Sequence, residues 1–136
     1  MGAEGTAEGV ERNLILDAGA LIGAERGGIE AVVMAEQAQE LGGRVIVPAC
    51  ALAQVWRGGP RSARLARLLD SAGVDVLDEK RAKEVGVRLG SREADDVADA
   101  HVACCAIERR AAIVTSDRDD IEALIEPGER VGLIDI

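Results

Sequence analysis

Carboxylates stand where apolar runs stop in this chain: Asp17 in LILDAGALI, Asp96 and Asp99 in DDVADAHVACCAIE, and Asp117 in AIVTSD. Bare carboxylates gathered in one place repel one another, and that repulsion must be offset by cations, by protonation or by distance. If these four converge, the cation that fits them is a hard divalent metal on oxygen ligands, Mg²⁺ or Mn²⁺. The chemistry such an ion serves is that of phosphate esters. A plainer reading competes. Asp is a favoured helix cap and is stabilised in the first helical turn, and Asp17 and Asp117 each precede a predicted helix. Asp95 and Asp96 are explained equally well as a helix start. Asp99 resists that explanation. It is expected past the first turn of a helix beginning at Asp95, beside Val97, Ala98, Val102 and Ala103, and it shares a helix face with Asp96.

The elements that must position these acids follow from the apolar pattern. Short runs of Leu, Ile and Val at 13–16, 44–47, 74–77, 111–115 and 131–134 read as buried strands. Between them lie predicted helices at 18–26, 29–41, 49–57, 61–70, 79–89, 95–109 and 119–124, punctuated by Gly27, Gly42, Gly58 and Pro60. Strands alternating with helices imply one α/β layer sandwich on a parallel sheet of about five strands. Residues 1–12, MGAEGTAEGVER, read as a flexible tail, and 13–136 as a single domain. In such sheets ligands bind beyond the carboxyl ends of the strands. Asp17 and Asp117 each follow a strand and therefore point over the same edge.

Composition narrows the function. The 136 residues suffice for one domain with a real core. There is no Phe or Tyr, and Trp56 is the only aromatic residue, which weakens any reading in which bases stack on an aromatic platform. A net charge of −9 makes a poor sequence-independent nucleic-acid binder. Against that average, Arg57, Arg61, Arg64 and Arg67 run without an acid until Asp70. Three cysteines (Cys50, Cys104 and Cys105) without a CxxC read as reduced core thiols of a cytoplasmic protein, and His101 as sole histidine argues against a Cys/His zinc site. No segment is long enough to span a membrane, and no secretory signal is visible. An aspartyl-phosphate phosphatase would need a second Asp soon after Asp17, and LDAGALI has none; no Walker-type glycine loop occurs either.

Taken in order, LDAGALI, DAHVACCA and TSD resemble the motifs of the PIN-domain family, in particular its VapC-like toxin ribonucleases. The resemblance spans about residues 13–136. It implies a three-layer α/β/α fold around a parallel sheet, with Asp17, Asp99 and Asp117 as catalytic and metal-binding acids; Asp96, which shares a helix face with Asp99, is read as a further metal ligand. It implies Mg²⁺ or Mn²⁺ as cofactor, RNA as substrate, and hydrolysis to a 5′-phosphate and a 3′-hydroxyl. It implies a homodimer held inactive by a cognate antitoxin. One position departs from the pattern: Gln54, in VPACALAQVWRGG, stands where the family usually has Glu. An amide supplies a hydrogen bond but no charge. Two readings follow, an active endoribonuclease toxin and a catalytically weakened PIN module acting through protein or RNA binding. Asp96, Asp119 or Asp120 are the residues able to restore the missing charge. Thr115 and Ser116 are candidates to support the site, and Arg57 and Arg61 to contact RNA or an antitoxin carboxylate. His101 should turn away from Asp99 and serve structure or a partner. Trp56 together with 57–69 is expected at a dimer or antitoxin interface.

Overall fold

A computed structural model describes residues 12–136, so the expected tail at 1–12 lies, except for Arg12, outside the described residues. Five strands, β1 (Leu14–Leu16), β2 (Val45–Pro48), β3 (Gly73–Asp75), β4 (Ala112–Thr115) and β5 (Gly132–Asp135), form one sheet in the order β3-β2-β1-β4-β5. Every pairing is parallel. The described helices are α1 (Ala18–Glu25), α2 (Glu30–Glu40), α3 (Ala49–Val55), α4 (Ala63–Leu69), α5 (Glu79–Arg92), α6 (Val97–Arg109) and α7 (Arg118–Glu122), and they flank the sheet in an α/β/α sandwich. The three central strands are buried along their whole length, which is why they read as unbroken apolar runs rather than alternating ones.

The core contains Leu14, Ile15, Leu16, Val47, Ile113 and Val114 from the sheet and Leu21, Leu65 and Ile121 from the helices. With no Phe or Tyr available, close approach is achieved by small residues. In α6, Ala100, Ala103, Cys105 and Ala106 are fully buried, and this helix touches β1, β2 and β4 as well as α3, α5 and α7. Such a surface lets a helix lie close on a sheet, and it brings the start of α6, with its acids, to the ends of the central strands.

Several boundaries differ from the sequence expectation. The helix expected at 95–109 begins at Val97, because the Asp96 side chain accepts the backbone N–H of Asp99 and makes Asp96 the N-cap. Asp99 therefore lies within the first turn, not beyond it. The segment expected as a helix over 61–70 divides into a 3₁₀ turn, Gly59–Ser62, and α4; the Ser62 hydroxyl accepts the N–H groups of Arg57 and Gly58 and fixes the turn. The strand expected at 74–77 ends at Asp75, opposite Pro48 of β2, and Val76 and Leu77 are exposed. Helix α5 runs past Leu89 to Arg92, where Glu93 adopts a left-handed cap at φ 52.

Candidate metal site

Asp17 follows β1 directly and caps α1: its Oδ1 accepts the N–H of Ala20 at 3.2 Å. It is only 4% exposed. Burial pushes its carboxyl upward; hydrogen bonds from the Thr115 hydroxyl and from the N–H groups of Ala20 and Gly19 oppose that, and the charge of Asp117 adds to it, with a net rise. Thr115, fully buried at the end of β4, does two things. Its hydroxyl bonds Asp17, and its Oγ1 accepts the N–H of Asp117 at 2.9 Å. One side chain thus joins the acids that follow β1 and β4, and those strands are adjacent, with Leu16 opposite Val114.

Asp99 reaches the same place from α6. Its carboxyl is held up at about 6, first by burial and then by the charges of Asp96, Asp120, Asp117 and Asp17. No cation is among these causes. The five acids are therefore neighbours, and Asp120 belongs with them. The approach of α7 to α6 brings it there, and its own side chain stays exposed. Asp117, Asp119 and Asp120 also line a hollow of about 330 Å³ with Ser116, Arg118 and Asp135. Among the described residues, no three acidic, His or Cys side chains stand close enough to enclose an ion in this structure. The donor chemistry nevertheless fits a hard divalent cation: all the groups are carboxylates, and a cation would relieve the repulsion that raises Asp99.

The remaining predicted residues fall as follows. Gln54 is exposed near the end of α3, and its backbone carbonyl accepts Arg57 Nη2 at 3.0 Å. The Arg57 guanidinium also donates to the carbonyls of Trp56 and Ala53, so it closes the C-terminus of α3. Arg61 is more open, 66% exposed and 3.7 Å from Glu25. Trp56 is 40% exposed, but Leu65 and Leu68 are buried in the chain's own core, so the apolar side of α4 is not the open surface expected of it. Ser116 and Asp119 are exposed. All three cysteines are free thiols, with Cys104 and Cys105 buried.

A second polar cluster was not anticipated. Asp75, at the end of β3, is 5% exposed and bonds Arg81 through both oxygens at 3.0 Å, Arg109 at 2.6 Å and His101 Nε2 at 2.8 Å. Arg81 also holds Glu108 and Glu84. Burial pushes the Asp75 carboxyl up, but the bonds from Arg81, His101 and Arg109 outweigh it and bring it to about 2. His101 is fully buried, and its Nδ1 accepts the N–H of Cys50, which gives this residue a structural place on the side of α6 away from Asp99.

With this geometry in view, the comparisons are direct. The PIN domain family model matches residues 14–124, and the chain belongs to that family. Three solved structures share its fold. A chain of VapBC2 from Rickettsia felis bound to a promoter DNA fragment matches with a TM-score of 0.67 at 14% identity, over 89% of this chain and 98% of that one. A chain of FitAB bound to the IR36 DNA fragment matches at 0.63 and 16%, over 90% and 94%. A chain of VapBC-1 from nontypeable Haemophilus influenzae matches at 0.62 and 17%, over 90% and 97%. None of the curated proteins compared with the chain matches it. No helix among the described residues is long and apolar enough to cross a membrane.

Proposed function

We propose that this chain is a divalent-metal-dependent endoribonuclease and the toxin of a toxin–antitoxin pair. The observation that carries the reading is the grouping of Asp17, Asp99 and Asp117 at the carboxyl ends of β1 and β4 in a PIN fold, where burial and the charges of Asp96, Asp120, Asp117 and Asp17 hold the Asp99 carboxyl at about 6. Asp17, Asp99 and Asp117 would hold Mg²⁺ or Mn²⁺, with Asp96 and Asp120 supplying the charge that Gln54 lacks. The chemistry such an ion supplies is acidification of water and neutralisation of charge on the phosphate. The chain's own residues prepare that chemistry. Thr115 and the N–H groups of Gly19 and Ala20 fix the Asp17 carboxylate, and Asp96 fixes the start of α6 and so the position of Asp99.

Of Arg57 and Arg61, Arg61 is the more open to an RNA phosphate or an antitoxin carboxylate, because Arg57 is engaged by α3. The partners proposed are RNA, a cognate antitoxin and a second copy of the chain; the VapBC and FitAB complexes among the structural neighbours support the antitoxin. Exposed Trp56 is the natural anchor for a protein partner. The test is calorimetric titration of the partner-free protein with Mg²⁺ and Mn²⁺, followed by cleavage of total RNA and of tRNA with and without chelator. Chelator-sensitive cleavage supports the nuclease. Metal binding without cleavage favours the weakened binding module that Gln54 suggests, and absence of metal binding overturns both.

A further inference from the structure

Helix glycines are costly unless something demands them. Gly19, the second residue of α1, has no left-handed φ to explain it, but it has no room for a side chain either. A Cβ there would strike the Ser116 Oγ, would lie 2.8 Å from the Ser116 Cβ and would lie 3.2 Å from the Ser116 N. Rotating the Ser116 hydroxyl away relieves only the first of these, because the Cβ is fixed to the backbone. Gly23, on the same helix, has nothing within 4 Å of its hypothetical Cβ. The demand is therefore specific to position 19.

We propose that Gly19 and Ser116 are a size-matched positioning pair that sets the separation of Asp17 from Asp117. The contact lies between the two acids on both segments: Gly19 follows Asp17 by two residues, and Ser116 immediately precedes Asp117. Thr115 ties the same two segments by hydrogen bonds to the Asp17 carboxylate and from the Asp117 N–H. Hydrogen bonds alone tolerate some sliding. A backbone packed against a β-carbon does not, since overpacking moves main chain. The start of α1 and the exit of β4 are thus held at the spacing the acids require.

The inference rests on the reading of this site as ion-binding, and the experiment separates the two. Gly19→Ala, Gly19→Ala/Ser116→Gly, Gly19→Ala/Ser116→Ala and Gly23→Ala are compared with the parent chain. One readout is calorimetric Mn²⁺ affinity; the other, in metal-free protein, is the amide chemical shifts of Leu21 and Ile121, whose N–H groups bond the carbonyls of Asp17 and Asp117. Gly19→Ala should weaken Mn²⁺ binding about tenfold, on the scale of an overpacked contact, and shift both amides. Ser116→Gly should rescue both, because the nearest remaining Ser116 atom is its N at 3.2 Å; Ser116→Ala should rescue in part, since the 2.8 Å contact stays. Gly23→Ala should leave Mn²⁺ affinity and both amides as they are. Parental affinity and shifts in Gly19→Ala, or failure of Ser116→Gly to rescue, overturn the pair. So does a drop in thermal stability with both readouts unmoved, which would make the contact mere packing. If the parent binds no Mn²⁺, the ion-binding reading fails on its own, and the amide shifts still decide whether the pair positions the two segments.

Discussion

Two aspartates at strand ends of the same sheet have opposite fates. Asp75, the last residue of β3, is brought to about 2 by Arg81, His101 and Arg109. Asp99, beside the ends of β1 and β4, is driven to about 6 by burial and by four other acids. Residue type and place in the fold do not distinguish them; the company each keeps does. A carboxylate with its counter-charges built in is a fastener. One surrounded by like charge is strained when ionised, and protonation or a nearby cation relieves it.

The contrast can be broken most forcefully at its stable end. Asp75→Ala should cost about 3 kcal/mol, because it removes the carboxylate shared by the buried Arg81 and His101 and the half-buried Arg109, as measured by urea denaturation. At the other end, Asp99→Asn should stabilise the metal-free protein by up to about 3 kcal/mol at pH 7, the size of its upward shift. If both substitutions destabilise equally, the distinction between the two carboxylates is wrong.

Acidity should separate them next. The folded Asp99 carboxyl lies above its ordinary 3.8, so its destabilising charge is absent below about 4 and is fully expressed above about 6. The stability of the metal-free protein should fall as pH rises through that window. Asp75 lies below its ordinary 3.8, so its contribution is complete above that value and is lost as pH falls toward about 2. Asp99→Asn should flatten the upper slope and leave the lower one intact. Thermal melts from pH 3 to 7, in chelator, read both.

Metal affinity gives a smaller stability effect but a sharper assignment. Asp17→Asn and Asp117→Asn should each weaken Mn²⁺ binding by about tenfold or more, equivalent to about 1.4 kcal/mol, with no loss in apo stability. Asp120→Asn should weaken it less, and unchanged affinity in all three would misplace the site. Smallest of all is Gln54→Glu. Since Gln54 is exposed near the end of α3, the added charge should change affinity by no more than about threefold, well under 1 kcal/mol, by calorimetry. A larger gain would show that the side chain turns into the acidic group and that Asp96 and Asp120 do not replace it.

The sequence made the sheet legible because each strand is an apolar run stopped by Gly, Pro or a charge. Asp17, Asp99 and Asp117 were legible because they follow or face those runs at motif spacing. What was hidden depends on contacts between distant segments. Asp75 finds Arg81 within a turn and a half of chain, but His101 and Arg109 come from α6, and nothing local marks them. Asp120 could not be ranked against Asp119 until α7 was placed beside α6 and its charge bore on Asp99. The true start of α6 was masked because Asp95 and Asp96 cap equally well on paper, and only the bond from the Asp99 N–H chooses between them. Arg57 read as a free cation because its bonds to three carbonyls of its own segment are a matter of rotamer, not of sequence.

The pairing of β1 with β4 carries a kinetic consequence. Leu14 opposes Ala112, so these strands join segments far apart in the chain, whereas β1 with β2 and β2 with β3 close shorter loops. Loop closure is entropically harder for longer loops, and parallel long-range pairing is slow. Asp17 and Asp117 therefore become neighbours only when the longest loop of the three shuts. During synthesis and early folding the acids are strangers, and their repulsion burdens none of the steps before that closure. A divalent ion added to refolding protein should accordingly leave the early phases untouched and act after β4 has docked, slowing unfolding more than it hastens folding.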